Sequence, residues 1–589
     1  MFSVTTRTDG PCEAWNVRNA FTAPAGAEGA SLLVAVSEAA IAPDLNRFGD
    51  TTFDDVTQTA TLPELLEVFL GWHLDHDPVG ASALGAPGRD HTLGDFSTAG
   101  FAAHLAEARE WLTRFEQHRS AALGLHDSVD VELAISMLRG TILRAEAEPW
   151  RSDPTEYTAP IFNATFTTFL HRLHPEAELV ESVCARLSEV PEVLRACRRN
   201  LDPDRTPQLA VDRALGQAVT AAEFLRETLP AEVHDPRLRA ELHRAAEPAI
   251  AAFAELEAFL REFPARGDWR IGEARYSALL RDHELLGYGA AELHSRGLRA
   301  YADLDAQLSE VAPDWRARMR RLQDDHPPTE AAMLAEYIAE TERARQFTVD
   351  RDLVTMPPGE NCRVLPSPAF QRPIFPVAFY VEPPALTRSR TGHFFVPYTP
   401  AGFTEDQVRQ RLRGNCRAQM PTISVHESYP GHHWHLSWAA DTPRTIRKVM
   451  ISPYFAEGWG LYVERLFFEQ GYFTDPRHAL AHLDGQAFRA ARIVVDTALH
   501  CGEMTREQAR TYLLQKTTLT EDTAAAEVNR YCSWPTQAPS YLTGCLEILD
   551  IRGQYLRERR GSLKQFHDTI AGAGVLPLGL ARKVALESE

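Results

Sequence analysis

The chain has 589 residues, enough to bury a large core, and its composition is ordinary for a globular protein, with 44% hydrophobic and 24% charged residues. Its formal net charge of −20 argues against nucleic acid or an anionic membrane as a partner, because both attract basic surfaces. The eight cysteines form no C-x-x-C pair or close framework, which is typical of reduced thiols.

The N-terminal segment Met1–Arg7 lacks the basic start and apolar run of a signal peptide. No segment reaches the roughly 18 uninterrupted apolar residues of a membrane span. The sequence therefore predicts a cytoplasmic protein that does not bind a membrane.

Residues 1–60 differ from the rest, with a loop rich in glycine and alanine at 24–29, and we predict an N-terminal extension there. From Leu62 onward, apolar residues recur at helical spacing, so residues 61–589 are predicted to form one mainly α-helical domain. The longest amphipathic stretches are Ala99–Leu123, Val129–Arg144, Thr206–Thr228, Pro236–Phe263, Arg275–Leu308 and Thr329–Val349.

One region interrupts the helical pattern. Pro373–Val381 and His393–Tyr398 are rich in aromatic and β-branched residues and predict two extended segments of a small sheet or hairpin. Their prolines make at least one of them an edge strand. Such an edge could hold a peptide by strand addition or could shield the core, and the two roles are compatible.

The residues His426-Glu427 lie in a helix that Pro421 is predicted to begin, and more histidines follow Pro430-Gly431 at positions 432 and 433. In the zinc motif H-E-x-x-H, the two histidines lie one helical turn apart and reach the same ion. A step of six residues on a straight helix instead leaves the second histidine about 120° off that face.

Pro430 offers two interpretations. It cannot donate to a helical carbonyl, so a kink or a two-residue bulge could bring His432 to the position of the second ligand. Alternatively, Pro430-Gly431 ends one helix, and the later histidines form a polar cluster on the next turn. The combination of His-Glu, Pro-Gly-His-His and a downstream glutamate favours the metal site, and the residues leave His432 or His433 open as the ligand.

A third ligand is expected from the next helix. Ser452-Pro453 and Gly471 predict a helix over residues 453–470, with Glu457 in its first turn and glycines at 458 and 460 that allow close approach to the first helix. Two imidazoles, a carboxylate and the adjacent Glu427 are the parts of a catalytic zinc site. A solvated glutamate at a helix start is the alternative reading of Glu457.

Further candidates surround this motif. Asp496 and His500 lie four residues apart on one helical face, and together with His433 they are candidates for supporting the metal ligands or contacting substrate. Arg530, Tyr531 and Tyr541 are candidates for stabilising an oxyanion, and which of the three does so stays open.

The pairing of His426-Glu427-x-x-Pro430-Gly431-His432-His433 with Glu457-Gly458-Trp459-Gly460 resembles the bacterial family called domain of unknown function 885 (DUF885). The similarity extends to Arg530-Tyr531, Pro535, Gln537-Ala538, Tyr541 and Gly544, with Thr536 where a glycine is expected and an unusual Pro539. The resemblance implies His426, His432 and Glu457 as metal ligands and Glu427 as general base. It also implies a fold similar to Taq-type zinc carboxypeptidases, a large zincin-like helical body with a cleft and a small sheet near the active site.

We therefore expect a hydrolase with one zinc ion that cleaves amide bonds, by default in peptides, with Glu427 taking a proton from water. Zinc is the expected metal, and exo- or endo-cleavage stays open. One alternative is hydrolysis of a non-peptide amide or a modified amino acid. Another is a non-catalytic helical binding or scaffold protein that retains the motif, although a scaffold has no need of the base.

Overall fold

A computed structural model describes residues 61–368, 371–372, 377–559 and 561–588. The predicted N-terminal extension, residues 1–60, lies outside the described residues. Within these ranges, no helix is both long enough and apolar enough to cross a membrane.

Helices make up most of the described chain, as the hydrophobic periodicity predicts. They are α1 (Leu62–His76), α2 (Pro78–Ala83), α3 (Thr98–Gln117), α4 (Leu125–Ala145), α5 (Thr155–His171), α6 (Glu176–Asn200), α7 (Gln208–Glu223), α8 (Leu229–Ala231), α9 (Pro236–Arg261), α10 (Gly272–Ala278), α11 (Ala290–Val311), α12 (Trp315–Leu322), α13 (Glu330–Asp350), α14 (Glu405–Arg413), α15 (Met420–Glu427), α16 (His432–Ala439), α17 (Ile446–Val449), α18 (Pro453–Glu469), α19 (Pro476–His500), α20 (Arg506–Lys516), α21 (Glu521–Ser533), α22 (Ser540–Arg559), α23 (Leu563–Gly572) and α24 (Leu578–Glu587).

Local sequence sets many of the helix starts. Asp475 accepts a hydrogen bond from the backbone N–H of Arg477 at the start of α19, and Pro476 occupies the first turn, where its missing N–H costs nothing. Before α14, Thr404 and Gln407 form a reciprocal capping box. Capping thus accounts for the starts of α14 and α19, whereas α15, α16 and α18 begin without a side-chain cap.

The predicted amphipathic stretch Arg275–Leu308 is wrong as a single helix. The chain forms α10, a π-helical turn over Leu279–His283, and then a loop before α11 begins at Ala290. In that loop, Leu285 has φ +53° and Gly287 has φ +66°, which is left-handed backbone that no helix can continue through. Hydrophobic periodicity continues across the loop because its apolar residues also pack on the core.

The small sheet contains three strands, β1 (Asn361–Pro366), β2 (Phe379–Val381) and β3 (Thr391–Val396). The order is β1-β3-β2, with β1 parallel and β2 antiparallel to β3. Of the predicted segment 373–381, only its end forms β2, and residues 373–376 lie outside the described residues. The prediction of an edge strand is confirmed at β2. β1 was not predicted, because its sequence has no clear periodicity.

The main core packs around α18, and its aromatic centre includes Trp434, Trp459 and Tyr462, none of them exposed. A Cβ on Gly458 would lie 2.5 Å from the Cα of Gly544, so these glycines let α18 contact α22 backbone to backbone. We predicted that Gly458 would serve the approach to α15, and its real neighbour is α22. A second apolar core joins α5, α6, α7 and α9.

Candidate metal centre

The backbone between the predicted histidine ligands is a helix break and not a bulge. α15 ends at Glu427, the Tyr429–Pro430 peptide is cis, and α16 begins at His432, with the N–H of His435 donating to the carbonyl of Gly431 at 2.9 Å. The predicted bulge is therefore wrong, and the alternative, in which Pro430-Gly431 ends a helix, describes the backbone. A Cβ on Gly431 would lie 2.0 Å from the carbonyl oxygen of His426, so glycine permits the sharp reversal of the chain between α15 and α16.

This chain reversal brings the three predicted ligand residues together. His426 Nε2 and His432 Nε2 each lie 3.5 Å from the same oxygen of Glu457, Oε2. The two imidazole rings are 4.7 Å apart and nearly perpendicular, at 88°. One donor atom from each of the three residues lies within 4.8 Å of the other two, and the two 3.5 Å distances to Glu457 are near the roughly 3.3 Å separation of donors that share a tetrahedral zinc.

Gly460 lets α18 approach the ring of His426 closely. A Cβ there would lie 2.5 Å from Cε1 of His426, so a larger residue would displace the ring. Trp459 anchors the neighbouring turn, because its indole N–H donates to the carbonyl of Pro430 at 2.8 Å. The sequence Glu457-Gly458-Trp459-Gly460 thus places a carboxylate, two close contacts and an anchor on a single helix.

Glu464 supports His426 from the side opposite its Nε2. His426 Nδ1 lies 2.8 Å from Glu464 Oε1, and the Glu464 side chain is 1% exposed. Burial favours the neutral acid, but the hydrogen bonds from His426 and His482 outweigh it and lower the pKa of Glu464 to about 2. A carboxylate that holds Nδ1–H leaves Nε2 free as a donor, the usual arrangement behind a metal-bound histidine. Glu464 lies seven residues after Glu457, near the same helical face. That spacing is the feature of the sequence that points to Glu464.

We predict that Glu464→Gln weakens zinc affinity about 10- to 100-fold without unfolding the protein, because an amide holds the imidazole tautomer less firmly. Competition with a chromophoric zinc chelator measures the change. Glu469→Gln, on the last turn of α18, is the matched control and should leave the affinity unchanged. Equal affinities for wild type and Glu464→Gln would show that Glu464 does not orient the ligand.

Glu427, the last residue of α15, is the predicted base. Burial raises the pKa of Glu427, and the nearby carboxylates of Glu457 and Glu464 raise it further. Among the described residues, none donates a hydrogen bond to its carboxylate, which leaves both oxygens able to accept a proton.

His433 lies apart from the three converging donors. Its Nδ1 is 2.9 Å from the hydroxyl of Tyr380, and its Nε2 is 3.1 Å from Glu360 Oε2. Glu360 Oε1 also accepts from two nitrogens of Arg345, at 3.0 and 2.9 Å, and Glu360 Oε2 accepts a short hydrogen bond from Tyr429. Both nitrogens of His433 are therefore used, and His432 is the histidine of this pair that faces Glu457.

Of the three oxyanion candidates, Tyr541 lies nearest the converging donors. Its ring stacks on that of His426 with centroids 6.3 Å apart, and burial raises the pKa of its hydroxyl to about 12. Tyr531 is buried and donates to Glu527 at 2.5 Å, and Arg530 contacts the same carboxylate at 3.1 Å. Glu527 was not predicted from the sequence.

Asp496 and His500 lie on the buried face of α19, but they do not form the predicted carboxylate–imidazole pair. Asp496 accepts from the hydroxyl of Tyr276 at 2.5 Å and from the N–H of Thr536 at 3.1 Å. His500 Nε2 is 2.9 Å from the carbonyl oxygen of Tyr531. Both therefore hold the turn between α21 and α22, which presents Tyr541.

This chain resembles known proteins in its sequence profile and in its fold. The sequence profile described as "Bacterial protein of unknown function (DUF885)" matches residues 78–584. The chain belongs to the DUF885 family. No curated protein sequence matches this DUF885 chain.

Two solved structures share the fold of this DUF885 protein. One is described as a candidate lipoprotein of unknown function from Shewanella oneidensis, with 19% identity and a TM-score of 0.72 over 89% of this chain and 99% of that one. The other is a candidate lipoprotein from Colwellia psychrerythraea, with 17% identity and a TM-score of 0.75 over 90% and 99%. At these identities the likeness shows the fold alone.

The DUF885 chain departs from the expected motif at Thr536, and the backbone shows why glycine is expected there. Thr536 has φ +70°, a left-handed conformation that is costly for a β-branched residue. Its carbonyl accepts from the hydroxyl of Tyr454 at 2.9 Å, and its N–H donates to Asp496. These two bonds hold the turn in place despite the side chain.

We predict that Thr536→Gly raises the free energy of unfolding by about 1 kcal/mol, because the strain relieved exceeds the added entropy of the unfolded chain. Thermal and urea denaturation measure it, with Thr520→Gly at the N-cap of α21 as a control that should lose stability. A loss of stability in Thr536→Gly would mean that the threonine side chain contributes packing that outweighs its strain.

Proposed function

We propose that this protein is a metal-dependent hydrolase of amide bonds, with zinc as its metal and peptides as its default substrates. The single observation that supports this most is the convergence of His426 Nε2, His432 Nε2 and Glu457 Oε2, next to a half-buried glutamate, Glu427. Two imidazoles, one carboxylate and an adjacent base are the donor set of hydrolytic zinc sites.

The residues present fit a bound cation. The carboxylate of Glu457 lies 3.5 Å from Nε2 of His426, and that of Glu464 lies 2.8 Å from its Nδ1. Two carboxylates beside the converging donors suit a positive ion at the point where the donors meet. Two imidazole donors favour zinc over magnesium or calcium, which prefer oxygen ligands.

The protein's own groups then have distinct tasks. His426, His432 and Glu457 would hold the ion, and Glu464 would keep the proton of His426 on Nδ1. Zinc bound by these residues would supply a Lewis acid for a substrate carbonyl and for a water molecule. Glu427 would take the proton of the attacking water and return it to the leaving nitrogen.

Tyr541 is the group we assign to the developing negative charge on the carbonyl oxygen. Its position against His426 and its raised pKa keep a neutral O–H donor beside the site at physiological pH. Arg530 and Tyr531 are engaged with Glu527 and act less directly. A zincin-like cleft in the manner of Taq-type carboxypeptidases is part of this proposal.

Cleavage of a mixed peptide library, read by mass spectrometry, tests the proposal. We expect zinc-loaded protein to cleave peptides, treatment with a chelator to abolish cleavage, and added zinc to restore it. A parallel set of acyl amino acids tests the alternative of a non-peptide amide substrate. If zinc-loaded protein hydrolyses neither set, hydrolysis is not its function and the scaffold alternative gains support.

For location, the cysteine pattern supports the cytoplasm, and the described cysteines are free thiols. The two solved relatives are described as candidate lipoproteins, so attachment to a membrane through lipid is the alternative. Fractionation of native cells decides between them: recovery in the soluble cytosolic fraction supports our proposal, and recovery with membranes contradicts it.

A further inference from the structure

Three arginines gather around Tyr541, the residue that stacks on the metal-ligand candidate His426. The guanidinium carbon of Arg492 lies 4.8 Å from the Tyr541 ring centre, and that of Arg489 lies 6.0 Å from it. Arg530 donates to Gln537 at 2.5 Å, and the Gln537 amide in turn donates to the Tyr541 hydroxyl at 3.4 Å. A chain of contacts thus links Arg530 to the candidate metal centre.

In this arginine group, the Nε–H groups of Arg489 and Arg492 are buried and have no hydrogen-bond partner among the described residues. Among the described residues, the one carboxylate within ion-pair distance of these arginines is Glu527, which lies 3.1 Å from both Arg492 and Arg530. Arg489 donates to the carbonyl of Gly485 at 3.3 Å and has no carboxylate partner in the described chain. Glu464, Asp484 and Asp496 lie near enough to interact with the arginine charges, so the feature of this group is its unused N–H donors and not its net charge.

Buried N–H groups without acceptors cost free energy unless an incoming acceptor such as a carboxylate binds near them, because partly desolvated guanidinium groups lose hydration that one shared carboxylate does not replace. Arg530 is easier for an incoming molecule to reach than Arg492, since 30% of its side chain is exposed, against 9% for Arg492. Guanidinium groups recognise carboxylates by paired, planar hydrogen bonds.

We propose that the arginine group of Arg489, Arg492 and Arg530 binds a carboxylate of the substrate, with Arg530 as the contacting residue. This inference rests on the proposed hydrolase function, because it describes recognition at the same site. The carboxylate belongs either to the C-terminus of the peptide, which makes the enzyme an exopeptidase, or to an acidic side chain.

The test uses one tripeptide library prepared in three forms: with free C-terminal carboxylates, as C-terminal amides, and as amides that contain an aspartate or glutamate. We expect zinc-loaded wild type to cleave a carboxylate-bearing form about 100-fold faster, as kcat/KM, than neutral amides. Preference for the first form assigns a terminal carboxylate, and preference for the third assigns a side chain. Equal cleavage of all three overturns the inference and leaves the hydrolase function standing.

Substitution identifies the residue responsible. Arg530→Met should abolish the preference, because it should slow cleavage of the acid form about 100-fold more than it slows cleavage of neutral amides. Arg530→Lys keeps the positive charge but lacks the planar guanidinium, so its kcat/KM on the acid form should fall about 10-fold. This variant keeps the test valid if Arg530→Met does not fold. Arg506→Met, which removes an arginine bonded to Asn529, is the matched control and should change nothing. Equal losses on acids and amides would mean a structural role and would contradict the inference.

A binding measurement separates failure of this inference from failure of the proposed function. Zinc-loaded Glu427→Gln, with and without Arg530→Met, is mixed with the three libraries, and retained peptides are identified by mass spectrometry. Enrichment of carboxylate-bearing peptides that disappears with Arg530→Met supports the subsite even if no form is hydrolysed. Absence of enrichment, or enrichment that survives Arg530→Met, overturns it.

Discussion

Glu427→Gln is expected to slow hydrolysis about 1,000-fold while the protein keeps its zinc, because the substitution removes proton transfer and nothing else. The side chain has no hydrogen-bond partner among the described residues, so the isosteric amide should fit without disturbing the fold. Single-turnover rates on a cleaved library peptide, together with metal content, measure both halves of the expectation.

Glu310→Gln is the control for this substitution. Glu310 is exposed on α11, and the structure records no hydrogen bond or ion pair for it, so the variant should match wild type in rate, metal content and stability. Normal turnover by Glu427→Gln would show that the proton acceptor is another group. Loss of zinc together with loss of rate would move Glu427 from the role of base to that of ligand.

The pair His432→Ala and His433→Ala should separate metal binding from folding, although the two residues are neighbours. His432→Ala removes one of three donors and is expected to weaken zinc binding by more than about 100-fold, beyond the range for supporting residues. The fold should persist, since the imidazole nitrogen that points away from Glu457, Nδ1, has no hydrogen-bond partner among the described residues.

His433→Ala should retain zinc and lose stability instead. It leaves Glu360 and the hydroxyl of Tyr380 without their partner in a buried network, which costs about 2–4 kcal/mol in the free energy of unfolding. Metal analysis after dialysis and urea denaturation on both variants measure the contrast. Equal zinc loss from both variants would contradict the assignment of His432 as the ligand.

The residues that converge at the candidate metal centre were predictable because their signal is local in sequence. His426-Glu427, His432 and Glu457 stand out by residue type, and capping residues such as Ser452-Pro453 placed Glu457 near a helix start. The backbone that joins the histidines was not predictable, because a proline and a glycine are consistent with either a bulge or a break. The close approach of Gly431 to His426 arises only once both helices are packed.

The residues that sequence analysis missed act across long separations in the chain. Glu360 reaches His433 over 73 residues, and Tyr276 reaches Asp496 over 220, and no periodicity or motif connects such pairs. Asp496 and His500 were predicted as a pair because they share a helical face, yet each is bonded to another element. Helical spacing establishes which side chains share a face and leaves their partners undetermined.

Zinc content is the measurement that tests the central claim most directly, namely that His426, His432 and Glu457 together bind one metal ion. Elemental analysis of the full chain, dialysed after loading with zinc, should find one equivalent in wild type and far less in each of His426→Ala, His432→Ala and Glu457→Ala. Wild-type protein that retains no zinc, or variants that retain as much as wild type, would contradict the account.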